Sequence, residues 1–370
     1  MDSRVLGRCA VIGAGLALTL CTTAQGAVRE VSAGPFLRAD GRTLERALGD
    51  TNAYFVRRVT VHAGDRVRWR LNGFHTVTFA PRGAPRPPLF APDTANPISG
   101  VVDAANAAFW FNGQPRIVLN PQAAFKQGGN TFRRGRLLNS GLPLAEGAPP
   151  PYVLRFPRAG TYGYVCLVHP GMRGSVRVVP RRRKIPTALA VRREARRQEK
   201  TLVQRVVRAS NTGVQPAAGT VQAGNDTKRG VVVFKFFPAD LTVAAGTTVT
   251  LQMSPRTSEV HTFSFGPTNG RDQYLDQIAQ GFIAPIPGTT PPVLGVEPRA
   301  AIPSDDPTAG FQDYTGTNHG NGFWNSGVLD REAASAAIPG SATVRFTTPG
   351  TYSYICFIHP FMHGTVNVTP

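Results

Sequence analysis

Apolar and polar residues alternate with a period of two in many short runs of this chain. Val67, Trp69 and Leu71 alternate with arginines, a pattern typical of a half-buried β-strand. The stretch 231–253 is a series of apolar runs with a break at Pro238. The regular alternation of strands and helices that a parallel sheet needs is missing. The pattern therefore predicts an all-β fold, in which two antiparallel sheets pack as a sandwich.

One segment, residues 180–210, has a helical period instead. Its apolar positions fall on one face of a helix: Ala188, Val191, Ala195, Leu202 and Val206. Within it, residues 181–208 carry eleven Lys or Arg against two Glu. We interpret the segment as a basic, solvated linker helix, in preference to a membrane-surface or partner-binding element.

The chain on both sides of this linker is duplicated. Residues 156–178 align with residues 346–368 at an offset of 190, and 12 of these 23 positions are identical. His75 precedes Asn139 by 64 residues, and the second copy repeats the same pair at the same spacing. Two tandem domains of one fold follow from this parallel spacing.

The first residues predict an export signal. Two arginines precede the apolar run Cys9–Cys21, and small residues follow it up to Ala27. No later stretch of the sequence is long and apolar enough to span a membrane. We therefore expect a secreted or periplasmic protein after cleavage. The predicted divisions are a signal peptide at 1–27, a domain at 28–180, a linker at 181–210 and a second domain at 211–370.

Composition adds one point about cysteine. The 370 residues carry a net charge of +19 and four cysteines, two of which lie in the predicted signal. Exported proteins usually use cysteines in disulfides. Here Cys166 and Cys356 occupy matching places in the two copies, each beside a histidine and a methionine. That placement indicates a metal ligand.

The segment "YICFIHPFMHG", residues 354–364, places Cys356, His359 and Met362 three residues apart. The first copy repeats the spacing with Cys166, His169 and Met172. A thiolate, an imidazole and a thioether form a soft, mixed donor set that suits copper and fits calcium or magnesium poorly. A second imidazole would complete each set, and the duplication nominates His75 and His261.

These residues resemble a known family. "TYSYICFIHPFMHGTVNV" is similar to the ligand loop of cupredoxins, the blue-copper proteins, and most similar to the amicyanin and plastocyanin type. "HTVTF" and "HTFSF" resemble the strand that carries the family's first histidine ligand. The resemblance implies an eight-stranded Greek-key sandwich and one type 1 copper ion per copy, cycling between Cu(I) and Cu(II). The implied ligands are His75, Cys166, His169 and axial Met172 in site 1, and His261, Cys356, His359 and axial Met362 in site 2.

Three features depart from the small cupredoxins. Surplus sequence, parts of which are 82–100 and 270–292, predicts loops or extra strands near the sites. Thr76 and Thr262 follow the first histidines, where the family often has Asn. The resemblance also implies that the ring edge of the second histidine lies near the surface in an apolar patch, formed here by Pro170, Gly171, Pro360 and Phe361.

The favoured function is that of an exported electron carrier, with no catalytic residues and no cofactor beyond copper. One alternative is copper binding and delivery without redox duty. A less favoured one is a two-domain enzyme similar to multicopper oxidases or nitrite reductases. Such enzymes place a histidine beside the copper-binding cysteine, whereas the neighbours here are Val165, Leu167, Ile355 and Phe357. The remaining histidines, His62, His319 and His363, are too scattered in sequence to build a catalytic cluster.

The basic linker predicts the kind of partner. A positively charged segment attracts acidic proteins at long range, so we expect acidic redox partners. It could also bind an anionic cell surface. Nucleic acid is not expected as a partner of an exported chain that lacks a basic, aromatic face.

Overall fold

The computed structural model of the chain describes residues 26–370, with the exception of 146, 170, 258, 268–272, 291, 311 and 332–337. Most of the predicted signal peptide, which spans residues 1–27, lies outside the described residues. The prediction of export therefore stays a prediction.

Strands dominate the described part of the chain. The first half contains β1 (Val28–Ala33), β2 (Gly49–Asp50), β3 (Tyr54–Phe55), β4 (Arg58–His62), β5 (Arg66–Leu71), β6 (Thr78–Phe79), β7 (Phe90–Pro97), β8 (Pro115–Leu119), β9 (Leu138–Asn139), β10 (Tyr152–Arg155), β11 (Gly160–Val165) and β12 (Arg173–Val179). The second half contains β13 (Thr220–Ala223), β14 (Val232–Val233), β15 (Phe236–Phe237), β16 (Asp240–Ala244), β17 (Thr247–Met253), β18 (Ser264–Phe265), β19 (Ile283–Pro285), β20 (Leu294–Val296), β21 (Asp313–Tyr314), β22 (Trp324–Asn325), β23 (Ser341–Phe346), β24 (Gly350–Ile355) and β25 (His363–Thr369). The helices are α1 (Arg38–Ala47), α2 (Pro121–Ala124), α3 (Ala188–Thr212), α4 (Tyr274–Gln280), α5 (Pro298–Ala301) and a 3-10 turn at Asn318–Gly320.

The first sandwich packs sheet β10-β5-β1-β3 against sheet β4-β12-β11-β6-β9. Its core includes Val67 and Trp69, which are fully buried on β5 as their alternation with arginines predicts. The Trp69 ring lies edge-on to Tyr164, with the ring centres 5.3 Å apart. The apolar face of each sheet therefore closes the core from its own side.

The second sandwich repeats this arrangement. Sheet β15-β13-β17-β23-β21 packs against sheet β16-β25-β24-β18-β22 around buried Phe265 and Tyr354. In both sandwiches the last two strands form an antiparallel hairpin, β11 with β12 and β24 with β25. The prediction of an all-β fold with two β-sandwiches is confirmed.

The prediction of purely antiparallel sheets is wrong. Strand β1 pairs with β5, and β4 with β12, in parallel, and the second sandwich has the same parallel pairs at β13–β17 and β16–β25. Parallel neighbours need a crossover connection. The chain makes this crossover by passing through the other sheet of the sandwich: β1 and β5 lie in one sheet, and β4, which lies between them in sequence, belongs to the other.

Helix α3 is packed against its surroundings, whereas the sequence favoured a solvated linker. Val191 and Ala195 join the core of the first sandwich. Val203, Val206 and Ala209 form a separate cluster with Leu44 of α1 and residues beside β14. One face of the helix is therefore buried against both halves, and its charged face stays exposed.

The surplus segments of the two copies pair with each other. Strands β7 and β8 of the first half and β19 and β20 of the second form one sheet, in the order β19-β20-β8-β7. Strands β2 and β14 add a second connection. Beside this sheet lies a cluster that we call the junction core: Ile98, Phe109, Phe111, Leu275, Ile278, Ala300, Phe323, Ile355 and Phe357. The two halves thus share secondary structure and a core.

Among the helices of the described residues, none has the length and apolar character needed to cross a membrane.

Candidate metal centres

In the first sandwich His75, Cys166 and His169 come together, and their potential ligand atoms lie within 4.8 Å of one another. The Nδ1 atoms of the two imidazoles are 2.9 Å apart, and the thiol sulfur is 3.6 Å from Nδ1 of His169. All three residues are buried. We call this group site 1.

In the second sandwich His261, Cys356 and His359 form the equivalent group, site 2. Nδ1 of His261 lies 3.2 Å from Nδ1 of His359. The sulfur of Cys356 is 3.7 Å from the first of these nitrogens and 3.9 Å from the second. The two sites therefore present the same three donors in nearly the same arrangement.

A short loop positions the cysteine and the second histidine. Cys166 follows the last residue of β11, and Met172 precedes the first residue of β12. The amide of Cys166 donates to the carbonyl of Met172 (3.1 Å), and the amide of Met172 donates to the carbonyl of His169 (3.0 Å). The second copy has both bonds, at 3.2 and 2.8 Å. The hairpin and these bonds determine the local geometry, which is why both copies share it.

Met172 and Met362 are 3% and 1% exposed and belong to the same cores as the two cysteines. Their backbone atoms hold the loop closed, as described above. Their assignment as axial ligands stays a prediction.

Threonine takes a structural role beside each first histidine. The hydroxyl of Thr76 accepts the amide of Leu167 at 2.8 Å, and the hydroxyl of Thr262 accepts the amide of Phe357 at the same distance. The amides of these threonines point at Cys166 and Cys356, each 3.4 Å from the sulfur. Each threonine therefore ties the histidine strand to the cysteine loop.

Burial controls the protonation of the four histidines. It lowers the pKa of His75 and of His359 to about 4. Burial also lowers the pKa of His169 well below its usual value, with contributions from the nearby rings of His75 and His359. The pKa of His261 is lowered by burial and by His359. Neutral imidazoles are the form that binds a metal.

The two thiols are held protonated by burial, which raises the pKa of Cys166 and of Cys356. Amide groups that point at the sulfurs lower these pKa values in part. A bound cation would displace the proton and provide the missing positive charge. Two neutral imidazoles and a buried thiol match copper, whereas hard cations, which prefer oxygen ligands, do not fit this donor set.

The second histidine of site 1 faces the interior, not an open surface, whereas that of site 2, His359, is half-buried. His169 is only 7% exposed. Its Nε2 lies 3.5 Å from a carboxylate oxygen of Glu259, which is itself 7% exposed. This differs from the expected exposed ring edge, because the second sandwich covers that edge. Of the predicted patch, Pro170 lies outside the described residues and Phe361 is 49% exposed.

Glu259 also contacts site 2, since its other carboxylate oxygen is 3.8 Å from Nε2 of His359. Burial raises the pKa of Glu259 to about 8, partly offset by a hydrogen bond from Asn52. Sequence reasoning missed this residue. The one available signal was a carboxylate two residues before His261, where the first copy has Gly73.

A cleft of about 1000 Å³ adjoins site 1, and Gly171 and Met172 are part of its lining. Residues from the first sandwich, from α3 and from the second half line it. Its cationic residues are Arg57, Arg58, Arg173, Arg197, Arg205, Lys228 and Arg229. Among the lining residues Glu194 is the one acid. We call this feature the basic cleft.

The other histidines do not join either site. His62 contacts Asp65, and its Nε2 is 2.8 Å from the carbonyl of Arg183. His319 lies between Asp103 and Asp305. His363 is exposed at the start of β25.

Asn139 and Asn325 are fully buried and do not belong to the His–Cys–His groups. The oxygen of Asn139 accepts the hydroxyl of Thr78, and its amide donates to two carbonyls of α2. Asn325 makes the same connections with Ser264 and α5. Each asparagine therefore anchors a short helix to the strand that follows the first histidine.

Comparison with solved structures finds that parts of this chain are similar to several cupredoxins. A mutant plastocyanin of a fern is 20% identical, covers 40% of this chain and 99% of its own, with a TM-score of 0.22. Auracyanin from Roseiflexus castenholzii is 20% identical, covers 42% and 100%, with a TM-score of 0.22. A purple cupredoxin from Nitrosopumilus maritimus is 18% identical, covers 40% and 98%, with a TM-score of 0.21.

No protein-family model and no curated protein matches the chain. The two His–Cys–His groups fit two cupredoxin-type sites on the geometry described above.

Proposed function

We propose that this chain is an exported blue-copper protein that binds one copper ion in each half and carries single electrons between redox partners. The observation that supports this most is the pair of His–Cys–His groups, each with two Nδ1 atoms and a thiol inside a β-sandwich. Copper held there supplies one-electron redox chemistry. His75, Cys166 and His169 would hold one ion, and His261, Cys356 and His359 the other, with Met172 and Met362 as axial ligands.

The protein's own contribution is a buried donor set on a loop that is closed by backbone hydrogen bonds. Both thiols lie in apolar cores, and each loop is closed by two backbone hydrogen bonds. Donors that are held in place limit the rearrangement that accompanies a change of oxidation state. This favours electron transfer over copper delivery, which needs ligands that release the ion.

Catalysis is disfavoured by what surrounds the sites. The residues next to the two cysteines are apolar, and the histidines outside the sites are engaged elsewhere or exposed. In the described part of the chain no further group of three potential metal ligands exists beyond sites 1 and 2. A multicopper oxidase or a nitrite reductase needs such a group for its substrate.

The test is a Cu(II) titration of the mature protein, followed by visible absorption and by EPR spin counting. We expect two equivalents of copper to bind and to give an intense blue band that reductant bleaches. Cys166→Ala and Cys356→Ala should each lose one of these two equivalents. His62→Gln is the matched control and should retain both. Colourless Cu(I) binding without a blue Cu(II) form would instead support copper delivery.

The basic cleft supports an acidic redox partner at site 1. Seven cationic residues beside Met172 would attract an anion over about one Debye length, roughly 10 Å at 0.1 M salt. The charged face of α3 contributes two of them, Arg197 and Arg205.

This docking proposal can be tested with ferricyanide as an anionic probe. In a Cys356→Ala protein, which keeps site 1, Arg197→Gln with Arg205→Gln should slow Cu(I) oxidation about threefold at low salt, and high salt should remove the difference. Arg38→Gln with Arg42→Gln on α1, outside the cleft, is the control pair. Equal rates for both pairs would contradict docking at the cleft.

A further inference from the structure

Glu259 touches both candidate metal centres. Its Oε1 lies 3.5 Å from Nε2 of His169, and its Oε2 lies 3.8 Å from Nε2 of His359. One buried carboxylate thus faces one histidine of each site, through the ring nitrogen that points away from the thiol.

The carboxylate is held in place from both halves of the molecule. The amide of Asn52, a buried residue of the first half, donates to Oε1. The backbone amide of Glu259 donates to the hydroxyl of Thr257 at 3.0 Å. Its position is therefore defined by the contact between the two sandwiches, and it is not free to follow only one histidine.

The chemistry of the imidazole ring indicates what this contact does when a metal is bound. In both sites Nδ1 faces the other donors, so a neutral ring that binds a metal through Nδ1 carries its proton on Nε2. Ligand histidines almost always donate this N–H to a carboxylate, a carbonyl or a water, which orients the ring and makes it a better ligand. Both Nε2 atoms face the carboxyl group of Glu259, which in its ionised form can accept from both rings.

The first copy has no carboxylate of its own at the equivalent position. Gly73 stands there with a φ of +97°, and a side chain at that position would approach Nε2 of His75 to 3.4 Å. A glutamate at position 73 would therefore have a strained backbone, and in the described residues Glu259 is the carboxyl group that lies beside one histidine of each site.

We propose that Glu259 is a positioning residue shared by both sites, and that it couples them so that a metal in one site weakens binding in the other. This rests on the proposed function, because it assumes that both groups hold copper. A metal on one ring makes its N–H a stronger donor, which polarises the carboxylate and leaves a poorer acceptor for the other ring. By linkage, the effect must be equal in both directions.

The first test is a Cu(I) titration against a chromophoric Cu(I) chelator. Cu(I) with a thiolate is neutral overall, so direct repulsion between the two ions is small. The Cys356→Ala and Cys166→Ala variants give the Cu(I) association constant of each site alone. The product of these two constants is compared with the overall association constant for loading both sites of the wild type. We expect the overall constant to be about tenfold smaller than the product.

Glu259→Gln should reduce this deficit to less than about twofold, because the amide would face one ring with its oxygen and the other with its NH2 group, which cannot accept a hydrogen bond. The matched control is Glu199→Gln. Glu199 is also buried, but its carboxylate accepts the amides of Phe36 and Leu37 and touches no ligand histidine. It should retain the tenfold coupling. A wild type without coupling, or a Glu259→Gln protein with full coupling, would overturn the proposal.

A second readout needs no mutation. In the Cu(I)-loaded, ¹⁵N-histidine-labelled wild type, Nε2 of His169 and of His359 should each carry a slowly exchanging proton in NMR spectra. Unprotonated or rapidly exchanging Nε2 atoms would overturn the shared contact even if the Glu259→Gln protein failed to fold. Failure of Cu(I) to bind at either cysteine would contradict the proposed function itself, whereas two bound ions without coupling would contradict only this inference.

Discussion

Sites 1 and 2 have the same donors and the same loop hydrogen bonds, yet their surroundings differ. Beside Cys166, Val165 and Leu167 are half-buried, and the basic cleft begins at the loop. Beside Cys356, both neighbours are fully buried in the junction core. The ring of His359 lies 4.5 Å from the ring of Phe234, centre to centre.

The two copies share the donor geometry of their sites but differ in the inserted segments around them. The hairpin, the threonine and the asparagine set the donor geometry, and both copies have them. The surplus segments and helix α3 set the access to each site. The basic cleft therefore lies beside the loop of site 1, and the exposed ring of Phe361 lies beside His359 of site 2.

The largest expected effect tests whether the two frameworks are equivalent. Asn139→Ala and Asn325→Ala each remove a side chain that accepts one hydroxyl and donates to carbonyls of a short helix. Each should lower the free energy of unfolding of the metal-free protein by about 3 kcal/mol, measured with urea. The exposed Asn96, which donates to Asp93, gives the control Asn96→Ala. A loss below about 1 kcal/mol in one copy would show that the frameworks are not equivalent.

The next prediction concerns the threonines. Thr76→Val and Thr262→Val keep the shape of the side chain but leave the amides of Leu167 and Phe357 without their acceptor. Each should cost about 2 kcal/mol of unfolding free energy. Thr76→Ser, which keeps the hydroxyl, should cost clearly less. If valine and serine behave alike, this hydrogen bond does not stabilise the site.

A smaller effect should distinguish the routes to the two sites. The ring of Phe361 lies 6.2 Å from that of His359, so Phe361→Ala should slow ferricyanide oxidation at site 2 about fivefold, a loss of about 1 kcal/mol. Stopped-flow traces of Cys166→Ala and Cys356→Ala proteins report each site separately. Leu189→Ala, an exposed apolar residue on α3, is the control. An equal slowing at site 1 would contradict separate routes.

The smallest effect concerns His319, which joins the two halves. Burial lowers its pKa, but the hydrogen bonds and charges of Asp305 and Asp103 outweigh burial and raise the pKa above its usual value. The resulting stabilisation is complete below the unfolded pKa of about 6.5 and is lost as the pH rises through the folded value. His319→Gln should therefore cost more stability at about pH 5.5 than at about pH 8.5, by roughly 1 kcal/mol or less. An equal loss of unfolding free energy at both pH values would show that the ion pairs of His319 do not contribute to stability.

The grouping of two histidines with a cysteine in each half could be predicted, because the motifs are short and repeated at constant spacings. Cys356, His359 and Met362 share one loop between hairpin strands, and the constant spacing from histidine to asparagine identified His75 and His261. Periodicity also identified the strands with one buried face, such as β5, and the helical segment that became α3.

What could not be predicted depends on contact between the halves. Glu259 meets His169, which lies 90 residues earlier in the chain, only when the two sandwiches are packed together. The pairing of β8 with β20 joins Val118 to Gly295, and neither segment has a strong alternation of its own. Parallel pairing was missed because period-two patterns report which face of a strand is buried and say nothing about the direction of its neighbour.

The joint sheet has a consequence for cutting the chain between its copies. Half of the protein expressed alone would expose the edge of β8 or of β20, together with the apolar side chains of the junction core. Unpaired edges next to apolar surface recruit other strands. A solitary half would therefore tend to associate with another copy of itself, by edge pairing or strand exchange. The chain with both halves is the smallest form in which the edges of β8 and β20 are paired with each other.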